Sequence, residues 1–90
     1  MKYIEWDPEK NERLLRERGI SFDIIVAHIE KGRVLDRVKH PNKDKYPNQW
    51  MYIMEVDGYA YAVPFVEHNG NIFLKTIIPS RKFTRKYLKK

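Results

Sequence analysis

The chain has 90 residues, a formal net charge of +6, 42% hydrophobic residues and 13% aromatics. That length allows one domain over residues 1–90 with one modest core, burying roughly 60–65% of the unfolded surface, and the composition is globular rather than disordered. The absence of Cys excludes a disulfide frame and a thiolate metal site; with no apolar run near the ~18 residues of a membrane span and no secretory leader, a soluble cytoplasmic protein without membrane association is expected.

In chain order, KYIEWD (residues 2–7) predicts a short strand, with Tyr3 on one face and Ile4 and Trp6 on the other. Asp7-Pro8 then opens a helix: Asp7 caps free N–H groups, and Pro8 suits the first helical position because its missing donor costs nothing there. Gly19 ends it as a left-handed cap. Only Leu14 and Leu15 are apolar inside it, so it is a surface helix held by a narrow stripe. Ser21 starts a second helix, where Phe22, Ile25, Val26 and Ile29 recur at i, i+3, i+4 and i+7. Ile20 can staple against Ile25 across the cap, and Gly32 closes the helix.

From Arg33 the hydrophobic period becomes two. RVLDRV predicts a strand, and HPNKDKYPN (residues 40–48) a polar loop. QWMYIMEVD predicts a long strand with Trp50, Tyr52, Met54 and Val56 on one face. Asp57-Gly58 is a two-residue hairpin signal. YAYAVPFV returns, with Pro64 implying an edge or a bulge. EHNGN turns again, NIFLKTII forms the last strand, and Pro79-Ser80 stops it and caps a final helix. The order β-α-α-β-β-β-β-α reads as α+β: a twisted antiparallel sheet with helices packed on one face and a basic C-terminal helix.

The charge is uneven. Residues 73–90 hold seven Lys or Arg and no acid, so the remainder of the +6 total is −1 on residues 1–72. Such asymmetry points to an acidic partner at one place on the surface: nucleic acid first, an acidic protein second, with a solvated tail as the plain alternative. On a helical wheel Phe83, Thr84, Tyr87 and Leu88 fall on one side and Arg81, Lys82, Arg85, Lys86, Lys89 and Lys90 on the other. Like charges at i, i+4 repel, whereas a phosphate backbone on that face would be neutralised, with salt-sensitive binding and two-pronged grips from Arg.

Two stretches resemble a known family. WDPEKNERLLRERGISF is similar to the opening of the BrnT toxins, whose members read roughly W-D-P-x-K-x-x-x-N-x-x-K-H-G-[IV]-S-F; IIPSRKFTRKYL resembles their terminal I-I-S-A-R-x-A-[TS]-x-x-E block. The resemblance implies a RelE-like fold and a metal-independent endoribonuclease, the toxin of a type II toxin–antitoxin pair. It also implies neutralisation by a BrnA-like ribbon-helix-helix antitoxin, through which the complex binds operator DNA. The chain departs from the family pattern at Thr76, where an Arg is usual and Lys75 lies one residue earlier, at Pro79-Ser80 and Phe83 in the terminal block, and at Glu17-Arg18 in place of Lys-His.

Metal-free RNA cleavage needs a base for the 2′-hydroxyl, stabilisation of phosphate charge and an acid for the leaving oxygen. By its match to the family block Arg81 is the first candidate for phosphate stabilisation. Lys75, in an otherwise apolar strand, and His40, whose imidazole suits proton transfer near neutrality, complete the candidate catalytic set. Lys82, Arg85, Lys86, Tyr87, Lys43, Lys45 and Tyr46 are candidates for RNA binding. Trp50, Tyr52, Tyr59 and Tyr61 alternate along neighbouring strands, which suits core packing better than base stacking. His28, His40 and His68 lack ligand spacing, so neither metal nor cofactor is expected. The alternative to the enzyme is a non-catalytic RNA- or protein-binding module of the same fold. A lone DNA-binding repressor fits less well, because the second helix is too apolar to lie in a groove.

Overall fold

The computed structural model describes residues 3–88. Lys2 of the first expected strand and Lys89 and Lys90 of the cationic face lie outside them. The elements are β1 (Ile4–Trp6), α1 (Pro8–Arg18), α2 (Phe22–Glu30), β2 (Val34–Lys39), β3 (Gln49–Val56), β4 (Tyr59–His68), β5 (Asn71–Leu74), β6 (Ile78–Pro79) and α3 (Arg81–Tyr87).

Side chains within three residues of each helix start set its end. The Glu9 N–H donates to Asp7 Oδ1 at 3.0 Å, the Ile24 N–H to Ser21 Oγ at 3.4 Å and the Phe83 N–H to Ser80 Oγ at 3.1 Å, each satisfying a donor the helix cannot. Gly19, at φ 69°, takes the left-handed cap that stops α1. Asp57-Gly58 and Asn69-Gly70 all have positive φ, the geometry of two-residue turns that follow the twist of the strands they join.

The sheet is mixed, in the order β1-β5-β4-β3-β2, with β6 on the same side of β4 as β5. Three features differ from the expectation. First, β1 pairs with β5 in parallel. The helix pair carries the chain from β1 to the far edge, and the antiparallel run β2-β3-β4-β5 returns it beside β1 in the same direction. Second, the last expected strand is two strands: β5 pairs with Phe65–His68 of β4, and β6 with Tyr61 and Ala62. Three residues, 75–77, stand against two, Val63 and Pro64. Pro64 offers only its carbonyl there, which accepts from the Lys75 N–H at 2.7 Å, so the ladder steps at a bulge.

Third, helices cover both faces. Leu14, Ile20, Phe22 and Ile25 from the helix pair pack with Met54, Val56, Val63, Phe65, Ile72 and Leu74. On the reverse side Phe83 and Tyr87 of α3 pack against Met51, Ile53 and Ala62. The alternation of β3 gives one row to each layer, the smaller one resting on the residues between Trp50, Tyr52 and Met54. Each fully buried Phe or Ile contributes about 1.5–3 kcal/mol, so the helix-pair face holds most of the apolar stabilisation and α3 is the lighter attachment.

β2 contains a second irregularity. Its register passes from Val34↔Met54 to Asp36↔Ile53, so Leu35 is an extra residue and is 39% exposed. An unbroken register would set Asp36 beside Tyr52. The bulge instead turns Asp36 to the α3 face and Arg37 and Lys39 to the helix-pair face, opposite Tyr52 and Trp50.

Candidate nucleic-acid interface

α3 is fixed by its polar atoms as well as its rings. The Ser80 N–H donates to the Ala60 carbonyl at 2.9 Å, and the Ala60 N–H to Thr84 Oγ1 at 2.9 Å. At the other end the Tyr87 hydroxyl donates to Asp36 Oδ2 at 2.5 Å. That bond, with the Arg37 N–H, holds the Asp36 carboxyl below its ordinary value, while the carboxylate raises Tyr87. Phe83, Thr84 and Tyr87 are therefore the docking side, as the wheel requires. Tyr87, a candidate for touching a base, instead has its hydroxyl on Asp36 and its ring among apolar side chains.

Arg81, Lys82, Arg85 and Lys86 are exposed on the other side, with no ion-pair partner among the described residues. Arg81 and Arg85, and Lys82 and Lys86, stand at i, i+4, where like charges cost a few tenths of a kcal/mol per pair.

Lys75 follows β5 at the bulge. It is exposed, with its Nζ 5.5 Å from the centroid of the Phe73 ring. Ser80 bonds to Ala60, four residues along β4 from the Pro64 that accepts from Lys75, so the Lys75 and Arg81 backbones lie roughly 13 Å or more apart. A third cation joins them: Arg18 Nη1 donates to the Ile77 carbonyl at 3.1 Å, tying the end of α1 to the segment between Lys75 and Arg81. Sequence reasoning marked Arg18 only as a departure from a family pair, because its target is 59 residues away in the chain.

His40 is elsewhere. Its N–H donates to the Gln49 carbonyl at 3.0 Å, at the far edge and the other end of β3 from Pro79, which faces Tyr61. By strand rise and spacing, His40 and Arg81 lie roughly 20 Å apart, so the three catalytic candidates do not form one cluster. His40 Nδ1 accepts the Asn42 N–H at 3.1 Å, which leaves the neutral ring's proton on Nε2, a donor rather than a base. Its ring packs on Tyr46 at 4.4 Å, and Lys45 Nζ lies 5.4 Å from the same ring. The loop is ordered by its own bonds, Tyr46 N–H to the Asn42 carbonyl and Lys45 N–H to Asn42 Oδ1. Lys43 and Lys45 are exposed on it.

Neither a family model nor a curated protein matches the chain. Among the described residues no three His, Asp or Glu side chains gather as a metal-ligand set, and no helix is long and apolar enough to cross a membrane. What the molecule presents is a cationic helix face on α3, two further cations, Arg18 and Lys75, at the segment between β5 and β6, and a separate His40–Tyr46 loop at the far edge. Trp50, Tyr52 and Tyr61 pack against the larger core, with Tyr52 stacked on Phe65 at 4.1 Å, so these strand rings serve packing and give the α3 face no stacking platform.

Proposed function

We propose that the chain is a cytoplasmic, metal-independent endoribonuclease of the BrnT kind, a RelE-like toxin held inactive by a ribbon-helix-helix antitoxin that also carries the complex to operator DNA. The observation that carries this reading is the exposed cationic face of α3, free of ion pairs among the described residues, on a helix docked through Phe83, Thr84 and Tyr87. Four exposed cations with no ion-pair partner among the described residues, of which only Lys86 lies near enough to a carboxylate, Asp36, to act on it, are a stable surface when a polyanion neutralises them. Arg81, with Lys75 and Arg18 at the segment between β5 and β6, would hold and neutralise the scissile phosphate as charge develops. Lys82, Arg85 and Lys86 would track the backbone to either side. An antitoxin covering this face would shut off RNA access by occupying the same charges.

The position of His40 favours a second reading, a non-catalytic RNA-binding module, because a proton-transfer group roughly 20 Å from Arg81 cannot act on a phosphate held there. Pure protein incubated with labelled RNA in excess EDTA separates the two. Cleavage that falls at least a hundredfold in Arg81→Ala and is unchanged in His40→Ala supports the nuclease. A mobility shift without cleavage supports the module.

A further inference from the structure

Beyond the Leu35 bulge, Arg37 and Lys39 face away from α3 and lie over the open end of the larger core. The Arg37 guanidinium carbon is 4.6 Å from the centroid of the Trp50 ring and 5.5 Å from that of Phe65; Lys39 Nζ is 5.5 Å from the Trp50 centroid. Arg37 Nη2 donates to Glu67 Oε1 at 3.3 Å, and the Arg37 side chain is still 45% exposed. A guanidinium within cation–π distance of an indole and bonded to a carboxylate is held in place, and its planar group is still partly open to solvent. Nucleobases stack on such planes as they do on aromatic rings. A cleft beside it is lined by Lys39, Pro47, Asn48, Trp50 and Glu67, which sets an ammonium and an amide next to the stacking plane.

We propose that this cleft is a nucleotide subsite for single-stranded RNA, with a base stacked on the Arg37 guanidinium and the adjoining phosphate on Lys39. The proposal rests on RNA being the ligand of α3 and extends it to the other face of the sheet. The path between them is short. Tyr87, at the end of α3, is bonded to Asp36, and the next residue along β2 is Arg37. A strand leaving Arg85 and Lys86 therefore reaches the subsite by crossing the β2 edge, with positive charge on both sides of the crossing.

The test is the affinity of a short labelled single-stranded RNA, measured over a salt series, for wild type, Arg37→Lys and Lys39→Gln. Arg37→Lys keeps the charge and loses the plane, so it should bind roughly tenfold more weakly with an unchanged salt slope. Lys39→Gln should lower the slope of log affinity against log salt by about 0.7, one single-strand phosphate. RNA should also quench tryptophan fluorescence in wild type and much less in Trp50→Phe. The subsite is refuted if Arg37→Lys binds like wild type, if wild type shows no quenching, or if poly-glutamate or tripolyphosphate displaces the RNA at equal charge concentration; those competitors would mark an acidic-protein surface or a bare phosphate site. Cleavage absent from every preparation with the Arg37→Lys loss intact would end the toxin reading and leave the subsite. Normal cleavage with Arg37→Lys silent would do the reverse.

Discussion

The Tyr87 hydroxyl donates to the Asp36 carboxylate at 2.5 Å and joins the last turn of α3 to the edge strand on the opposite flank of β3. The bond depends on one proton and one charge. Asp36, held below its ordinary 3.8, contributes stability that is present above that value and is lost as pH falls through its lower folded pKa. Tyr87, raised above 10.0, contributes stability that is present below that value and is lost as pH rises through its higher folded pKa. Tyr87→Phe should therefore melt a few degrees below wild type between about pH 4 and pH 10, and the gap should close outside that window. A gap that does not narrow at all as pH falls below 3.8 would mean that the hydroxyl acts through something other than this carboxylate.

Two adjacent leucines on α1 give a matched comparison. Leu14 is 6% exposed in the larger core, whereas Leu15 is 54% exposed. Leu14→Ala should lose about 2–4 kcal/mol, the transfer cost plus the cavity; Leu15→Ala should stay within about 0.5 kcal/mol. Urea unfolding midpoints at a common slope measure both. Equal losses would mean that α1 sits on the sheet by a different stripe.

The bulge at Leu35 is tested by adding charge to it and by removing it. Leu35→Lys places an ammonium at an exposed position and should change stability by less than about 0.5 kcal/mol. Deleting Leu35 makes the pairs Val34–Met54 and Asp36–Ile53 consecutive, so Asp36 stays on the α3 face and Arg37 and Lys39 stay opposite Tyr52 and Trp50. The deletion should therefore keep the helical circular dichroism of α3 up to global unfolding and shift the urea midpoint only modestly; early loss of that signal would mean that the extra residue itself sets the face of Asp36.

What could be read in advance follows the range of each interaction. Asp7, Ser21 and Ser80 bond backbone donors no more than three residues away, and Asp57-Gly58 and Asn69-Gly70 set their own dihedrals, so caps and hairpins were legible from neighbouring letters. Pro64 announced a bulge but not its partner at residues 75–77. The parallel β1–β5 pair depends on strand order across the whole chain. The Leu35 bulge has no Gly or Pro to mark it and reads as ordinary alternation. The misreadings about the site share that origin. Lys75 looked like a strand residue because the step was hidden. Tyr87 looked available to RNA because its partner Asp36 lies 51 residues away in the chain. Arg18 and the Arg37–Trp50 pair were missed because distant registers create them.

The cationic side of α3 gives the last prediction. If Lys82, Arg85 and Lys86 each neutralise a phosphate of single-stranded RNA, replacing all three by Gln removes three counterion-releasing contacts. The slope of log affinity against log salt should then fall by about 2, at roughly 0.7 per phosphate. The same variant also loses the Arg81–Arg85 and Lys82–Lys86 repulsions, each worth a few tenths of a kcal/mol, so its melting temperature should hold or rise slightly. Together these changes separate a binding surface from a structural one: cations that held the fold would lower the melting temperature when removed and leave the salt slope unchanged. Lys82→Gln alone, with a slope change near 0.7 and no loss of stability, would show that the charges act singly along the strand rather than as one cluster.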